Sequence, residues 1–366
     1  RYICRRRVKS RMIDLRSDTL TMPDRGMLET ILEARLGDDG RTHALERGED
    51  ETVNRLEDMA AELTGKEAGV LFPSGTMGNT AAVLAWCGPG DKVLVDEQQH
   101  LYLSEKAVFD QSIGQMCPVT YRHDEKGLPV LEDMERELKK GDVRLVCVEN
   151  THNFAGGACI PPEHLKAVCQ LAHRYQVPVH MDGARMFNAA VALGIQAEEL
   201  CRYVDSVMFC VSKGLGAPVG SLVCGSQDFI LTVRRKRKLL GGSMRQAGII
   251  AAPAIYALEH NMQRLAEDHE NARCAAENIR DLAHTHMIGK TETNILVLDV
   301  NELGLTPEEY CRKAEEKGLL MKPVLADKVR LVFYKGITRK ETLAAAAIIR
   351  ELEKEQTGGE REGKSS

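Results

Sequence analysis

Two apolar runs in the chain end on residues of opposite charge. Val179-His180-Met181-Asp182-Gly183-Ala184-Arg185 closes on an aspartate, and Cys210-Val211-Ser212-Lys213-Gly214-Leu215-Gly216 closes on a lysine. If both runs are strands, a carboxylate and a primary amine stand at neighbouring strand ends. A lysine there can form a Schiff base with an aldehyde, and an aspartate can pair with a pyridine nitrogen and keep it protonated. That combination is what pyridoxal phosphate (PLP) chemistry needs. The same residues also read as ordinary strand-end surface charges, and spacing alone leaves both readings open.

Further candidates lie along the chain. Phe72-Pro73-Ser74-Gly75-Thr76-Met77-Gly78-Asn79 ends a strand and opens a helix, where backbone N–H groups at the positive end of the dipole can hold a phosphate dianion. It reads equally as a strand-to-helix turn capped by Ser74 or Thr76, and it lacks the two glycine patterns of nucleotide sites. His100 follows a strand by a short polar stretch. It is either a ring that stacks on a planar cofactor and moves protons near neutrality, or a surface histidine. Arg330 lies inside an apolar strand, which for a guanidinium implies a partner carboxylate or a bound anion. The run Arg234-Arg235-Lys236-Arg237-Lys238 is expected to be the solvated face and end of a helix. Arg245 stands apart from it, behind Gly241-Gly242-Ser243, where it can reach an anion.

The elements that must position these residues follow from periodicity. Short β-branched runs at 70–73, 92–96, 143–149, 177–182, 206–211 and 221–224 alternate with helical patterns at 52–64, 78–86, 162–175 and 197–201. This rhythm predicts βα units on a mostly parallel sheet, with ligands at the strand ends. From about Gly248 a long helical pattern runs to about Ala283, followed by strands at 294–298 and 328–332 and a closing helix over 339–353. The expected organisation is a basic extension at 1–13, a large α/β domain at 14–250, a small α+β domain at 251–355 and a disordered polar tail at 356–366.

Composition narrows the classes. At 366 residues and 43% apolar content the chain can bury a sizeable core, and with aromatics at 4% that core must be aliphatic. A net charge of -5 gives no reason to expect nucleic-acid binding, and no apolar run is long enough to suggest a membrane span. The 11 cysteines are scattered without a C-x-x-C pair, as expected of reduced thiols in a cytoplasmic protein. Arg1, Arg5, Arg6, Arg7, Lys9 and Arg11, with no acid before Asp14, also read as the end of a mitochondrial targeting segment. The 11 histidines form no H-E-x-x-H pattern, and no metal site is expected.

Taken in order, Asp14-Leu15-Arg16-Ser17-Asp18-Thr19, Pro73-Ser74-Gly75-Thr76, Glu149-Asn150-Thr151-His152-Asn153, His180 to Arg185, Val211-Ser212-Lys213-Gly214 and Gly241 to Gly248 resemble the low-specificity L-threonine aldolases. These are fold-type-I PLP enzymes related to the β-eliminating lyases, and the resemblance runs from about Ile13 to about Glu353. It implies a PLP-dependent transferase-like α/β fold with a mostly parallel seven-stranded sheet sandwiched by helices and a smaller C-terminal α+β domain. It implies that Lys213 is the Schiff-base lysine, Asp182 the pyridine-nitrogen partner and His100 the ring that stacks on the cofactor and assists proton transfer. Gly75 and Thr76 match phosphate ligands, and Arg245 matches an arginine reaching the phosphate of a neighbouring subunit, so a homodimer or homotetramer with shared active sites is implied. Ser17, Arg185 and Arg330 match groups that bind the amino-acid carboxylate, with Arg185 also near the cofactor hydroxyl. The implied reaction is retro-aldol cleavage of L-threonine or L-allo-threonine, through an external aldimine, to glycine and acetaldehyde. The alternatives are another PLP lyase or racemase on the same scaffold, and a catalytically impaired relative that acts as a binding protein.

The chain departs from the family in three places. Gly37-Asp38-Asp39 is separated from Gly48-Glu49-Asp50 by an apparent insertion, Gly40 to Arg47, with Arg47 in place of Tyr and Glu51 in place of Pro. Lys139-Lys140-Gly141-Asp142 offers no histidine where many bacterial relatives carry one near the substrate hydroxyl. Phe333-Tyr334 replaces the more usual Thr-His. The cofactor set is intact, and the changes bear on pocket shape, assembly and substrate.

Overall fold

The computed structural model describes residues 12–41 and 47–362. In chain order its strands are β1 (Ile13–Asp14), β2 (Ala68–Phe72), β3 (Lys92–Asp96), β4 (Cys117–Tyr121), β5 (Val143–Glu149), β6 (Val179–Asp182), β7 (Ser206–Cys210), β8 (Ser221–Gly225), β9 (His286–Met287), β10 (Ile295–Asp299), β11 (Leu319–Leu320), β12 (Lys322–Val324) and β13 (Lys328–Val332). The helices are α1 (Arg25–Glu29), α2 (Glu51–Thr64), α3 (Gly75–Trp86), α4 (Leu131–Leu138), α5 (Pro162–Arg174), α6 (Met186–Leu193), α7 (Ala197–Cys201), α8 (Gln227–Leu239), α9 (Gly248–His260), α10 (Leu265–Ile279), α11 (Pro307–Glu316) and α12 (Arg339–Glu362). None of them among the described residues is long and apolar enough to cross a membrane.

Two compact units divide the chain. The larger comprises Thr19–Asn153 and Ala158–Ala266; the smaller takes the described residues through Asp18, Phe154–Gly157 and those from Glu267 onward. This differs from the boundaries expected at 14 and 250. Ala251, Ala254, Ile255, Ala257 and Leu258 of α9 sit in the main core of the larger unit, whereas Ile13 and Leu15 pack in the core of the smaller one. A helical pattern that looked continuous from Gly248 breaks after His260, and the division falls inside the first turn of α10.

A seven-stranded sheet in the order β2-β8-β7-β6-β5-β3-β4 organises the larger unit. Every neighbouring pair is parallel except those made by β8, which is antiparallel to both β2 and β7. Strands β6, β7 and β8 are buried at every position, as strands covered on both faces must be. The flanking helices bury one stripe each; in α5 it is Leu165, Val168, Cys169, Leu171 and Ala172. Edge strand β4 escapes sequence periodicity because it carries Pro118 and is exposed at its first two positions.

The basic run ends α8 as expected, with Arg235 and Lys238 exposed, but two of its members do not belong to a solvated face. Arg234 and Arg237, one turn apart, point inward and are buried. Arg234 pairs with the buried Glu57 of α2 and donates to the Gly69 carbonyl at 3.1 Å. Arg237 lies 2.9 Å from Asp39 and donates to the Leu71 carbonyl at 2.7 Å. Glu57 also accepts the Leu71 N–H at 2.9 Å, so these ion pairs hold β2 against α2 and α8.

In the smaller unit a four-stranded antiparallel sheet runs β12-β13-β10-β9, and β1 pairs in parallel with β11, Ile13 opposite Leu319. Its core includes Leu296, Leu298, Tyr310, Leu331, Phe333 and Leu352. Helix α12 continues through Glu362, where the sequence reading ends it at 353 and starts a disordered tail at 356. Lys317 contacts both Glu351 and Glu355 at 2.7 Å, one turn apart, and the Thr357 hydroxyl donates to the Glu353 carbonyl at 3.0 Å. Residues 1–11, on which the targeting reading rests, lie outside the described residues, as do 363–366.

Glu57→Ala leaves Arg234 buried without its carboxylate. Breaking a buried pair from one side costs about 3–5 kcal/mol, so the urea midpoint of the variant is expected to fall well below that of the parent. Asp142→Ala, which removes an exposed partner of Lys92, is expected to leave the midpoint unchanged.

Candidate functional site

The C-terminal ends of the parallel strands meet along one edge of the large sheet, where ligands bind in open α/β sheets. Asp182 is the last residue of β6 and is 2% exposed. Its Oδ1 accepts the Ala184 N–H at 3.0 Å and its Oδ2 accepts the Asn79 amide at 3.0 Å. Behind Asn79 runs a chain of buried polar groups with a single consistent direction. Trp86 Nε1 donates to Ser206 Oγ at 2.9 Å, Ser206 lies 2.9 Å from His180 Nδ1, and His180 Nε2 lies 3.2 Å from Asn79 Oδ1. With Asn79 donating to Asp182, its oxygen must accept from His180 Nε2, which leaves Nδ1 to accept from Ser206. Burial pushes the His180 pKa down to about 3, so the ring stays neutral and the direction is fixed.

Lys213 follows β7 in a loop tied down by its carbonyls. Gly216 N–H donates to the Lys213 carbonyl at 2.9 Å, Asn261 donates to Leu215 at 2.7 Å and Arg264 to Gly214 at 3.2 Å. Gly216 sits at φ 82, a conformation that side-chain-bearing residues rarely adopt. Burial pushes the Asp182 carboxyl up from its usual range and the charge of Glu105 adds to this, while Lys213 and His100 pull the other way. A buried acid facing a second acid is a site that calls for a cation.

His100 is held from both ends. Its backbone N–H donates to Glu149 Oε2 at 2.6 Å, and its Nδ1 lies 3.2 Å from Glu105 Oε1. Burial disfavours the charged ring, but the Glu105 hydrogen bond and the charges of Glu149, Asp182 and Glu105 outweigh it and raise the pKa. Glu149, the last residue of β5, also accepts the Asn153 N–H at 2.9 Å, and Asn153 Oδ1 lies 3.3 Å from Arg185 Nη1. One carboxylate therefore positions both His100 and, through Asn153, the guanidinium of Arg185.

Gly75 and Thr76 open α3 at the same edge. Ser74 is the N-cap, accepting the Met77 N–H at 3.2 Å. A Cβ at Gly75 would stand 2.9 Å from Cys210 Sγ, so glycine is what lets the start of α3 close on the end of β7. The cap reading is what the structure shows, and a capped helix start still presents backbone N–H groups.

The structure thus gathers Gly75, Thr76, His100, Asp182, Arg185 and Lys213 in the larger unit. Arg245 bridges Asp38, its Nε 3.6 Å from Oδ2, with its side chain 68% exposed. Ser17 and Arg330 belong to the smaller unit, where buried Arg330 on β13 donates to the Arg16 carbonyl at 3.2 Å. Sequence reasoning gave no role to Asn79, Glu105, Glu149, Asn153 or His180. Glu149 carried the one usable signal, an acid ending a buried strand as Asp182 does.

The insertion leaves its flanks closed. A Cβ at Gly37 would stand 2.5 Å from the Glu49 carbonyl oxygen, and one at Gly48 2.6 Å from Asp39 Cα, so the two half-motifs lie back to back. Asp50 secures them: Oδ2 accepts the N–H of Gly37 at 3.0 Å and of Gly248 at 2.8 Å, and Oδ1 caps α2 at Val53. Residues 42–46 of the insertion lie outside the described residues.

A family model described as beta-eliminating lyase matches residues 14–302. Among curated relatives, the low specificity L-threonine aldolase of Escherichia coli K12 is 40% identical over 341 residues, covering 92% of this chain and 98% of that one. Low-specificity L-threonine aldolase 1 of Arabidopsis thaliana is 38% identical over 341 residues, covering 90% and 93%. Among solved structures, a putative L-allo-threonine aldolase of Listeria monocytogenes is similar with a TM-score of 0.74 at 20% identity, covering 93% of this chain and 96% of that one. The threonine aldolase of Leishmania major matches with the same TM-score of 0.74 at 16% identity, covering 93% and 99%.

Because Glu105 holds the His100 pKa up, the ring keeps its proton to higher pH than an ordinary histidine and becomes a proton acceptor only above that. Glu105→Gln is expected to move the midpoint down. Titrating the His100 ring by NMR in both proteins checks this, and an unmoved midpoint counts against the pairing.

Proposed function

The chain belongs to the beta-eliminating lyase family, and from that membership we propose that it is a PLP-dependent carbon–carbon lyase cleaving L-threonine or L-allo-threonine to glycine and acetaldehyde. The observation that carries the reading is Asp182, buried at a strand end beside a second acid and in the field of Lys213. That arrangement fits PLP, whose protonated ring nitrogen is the cation such a carboxylate calls for. When bound, PLP supplies the electron sink that accepts the pair left by the broken Cα–Cβ bond.

Each residue then has a task. Lys213 would hold PLP covalently through its ε-amine. The Trp86-Ser206-His180-Asn79 chain, fixed in direction, keeps a donor on Asp182 and so keeps that carboxylate an acceptor for the ring nitrogen. The N–H groups at Gly75 and Thr76 would hold the PLP phosphate at the positive end of α3. Arg185, positioned by Asn153, fixes the substrate carboxylate with a guanidinium's paired donors. Ser17 and Arg330 carry the same role on the family resemblance alone. His100 takes the β-hydroxyl proton as the aldehyde leaves, and a proton returns to Cα, so the reaction consumes none. Its raised pKa makes the proton-accepting form grow in as pH rises through that value. Exposed Arg245 fits the reading that it serves a neighbouring subunit in a homodimer or homotetramer.

Purified protein with PLP is expected to release acetaldehyde and glycine in equal amounts from threonine diastereomers. Lys213→Ala is expected to lose the visible cofactor band and at least about a thousandfold of the rate. Ammonia and a keto acid in place of glycine would make the enzyme an eliminating lyase. A cofactor band with no turnover of either kind would make it a binding protein.

A further inference from the structure

We propose that the larger unit carries a second site, for a divalent transition-metal ion of the Zn2+ class, built from Asp96, His123 and His152. The three come from the ends of three adjacent strands: Asp96 closes β3, His123 follows β4, and His152 follows β5, with β3 paired to both β4 and β5. Their ligand atoms all lie within 4.8 Å of one another. His123 Nδ1 is 3.2 and 3.1 Å from the two Asp96 oxygens, and His152 Nε2 is 3.3 Å from Oδ1. Charge-assisted N–H···O bonds are shorter, about 2.7–2.9 Å. Ligands at about 2.0–2.1 Å from a tetrahedral Zn2+ stand about 3.3 Å apart, the edge of the tetrahedron. These contacts also serve as ordinary N–H···O hydrogen bonds, and the separations from Asp96 to the two imidazoles match those of ligands sharing one ion.

The surroundings suit a built site. Asp96 is 2% exposed and its orientation is set by the Gln98 N–H, which donates to Oδ1 at 2.7 Å. His152 is 3% exposed, and its segment is pinned by the bridge to Ala158. His123 is 15% exposed and lines a surface cleft of about 490 Å³ with Arg122, Asp124, Glu125, Lys126 and Val130, which gives an ion a way in. Two imidazoles and one carboxylate form a borderline donor set suited to Zn2+ and its neighbours, with a fourth position left for water. Sequence spacing hides the trio, because its members are spread from 96 to 152 and match no ligand motif.

The ion would be structural. Asp96 lies four residues before His100, and His152 three after Glu149, so one ion would tie the turn bearing His100 to the segment bearing Glu149 and Asn153. The proposal stands apart from the aldolase reading, since no step of that reaction uses these residues.

The test uses the full-length holoenzyme, stripped with chelator and then titrated with Co2+ and Zn2+. The parent is expected to take up one equivalent per chain, with the visible d–d bands of tetrahedral Co2+ that Zn2+ displaces and a rise in Tm on adding Zn2+. Loss of an outer-shell partner already weakens metal sites about 10–100-fold, so His123→Gln and Asp96→Asn are each expected to weaken uptake by at least about 100-fold and to abolish the Tm rise. Cys117→Ser, which removes an exposed thiol, is expected to bind as the parent does. Uptake below a tenth of an equivalent in the parent overturns the proposal, as does uptake unchanged in His123→Gln. If that variant does not fold, the parent's spectrum decides: strong near-ultraviolet thiolate-to-Co2+ bands would place the ion on cysteine and sink the site.

Discussion

The buried carboxylate of Asp182 is the constraint around which the larger unit is arranged. An isolated charge in a protein interior is too costly to leave unpaired, and a nearby second acid makes it worse. The fold answers with donors of fixed direction. Asn79 and the Ala184 N–H bond the two oxygens, and the row behind Asn79 allows no reversal, because neutral His180 can donate from only one nitrogen. Such a row needs three elements in register. Asn79 comes from α3, His180 from β6 and Ser206 from β7, and His180 stands opposite Ser206 in the parallel pairing.

Buried acids recur as the unit's fastening points. Asp50 binds two backbone N–H groups from distant segments and caps α2; Glu57 binds the Leu71 N–H and Arg234; Glu149 binds the N–H groups of His100 and Asn153. A carboxylate has two oxygens and about four lone-pair sites, so each joins several backbone segments that cannot join one another. Partners of this kind specify a geometry more than they add stability, because burying the charge offsets most of what the bonds return. Glu149 shows why that matters for the site. His100 and Arg185 lie far apart in sequence, and a shared anchor fixes each relative to the other.

Legibility in the sequence followed the physics of each feature. Asp182 and Lys213 stand out in the sequence because a charged residue after a largely apolar strand breaks a strong pattern, and most of the parallel strands are such patterns. Strand β4 could not, since Pro118 and an exposed start erase the signal. Arg234 and Arg237 were misread because five consecutive cations hide a spacing of three, and only that spacing says that these two share a face turned inward. The division between units falls later than the sequence suggests because the short break between α9 and α10 leaves little mark in the pattern. Asn79 and Asp96 were illegible for a simpler reason. Their partners are brought to them by the order of strands in the sheet, which no local spacing encodes.

The apparent insertion shows how far the same logic extends. A loop's closure costs free energy only weakly with its length, so added residues are tolerated wherever the points of departure and return are held together. Here they are held by contact so close that neither Gly37 nor Gly48 has room for a side chain, and by Asp50, whose carboxylate joins Gly37 to Gly248. Asp39, on the flank of the insertion, faces Arg237, and Asp38 faces Arg245. The flanks therefore keep their contacts with α8 and with the segment that carries Arg245, whatever course residues 42–46 take. The two flanks are tied by the acids that fix the rest of the unit, whatever the length of the segment between them.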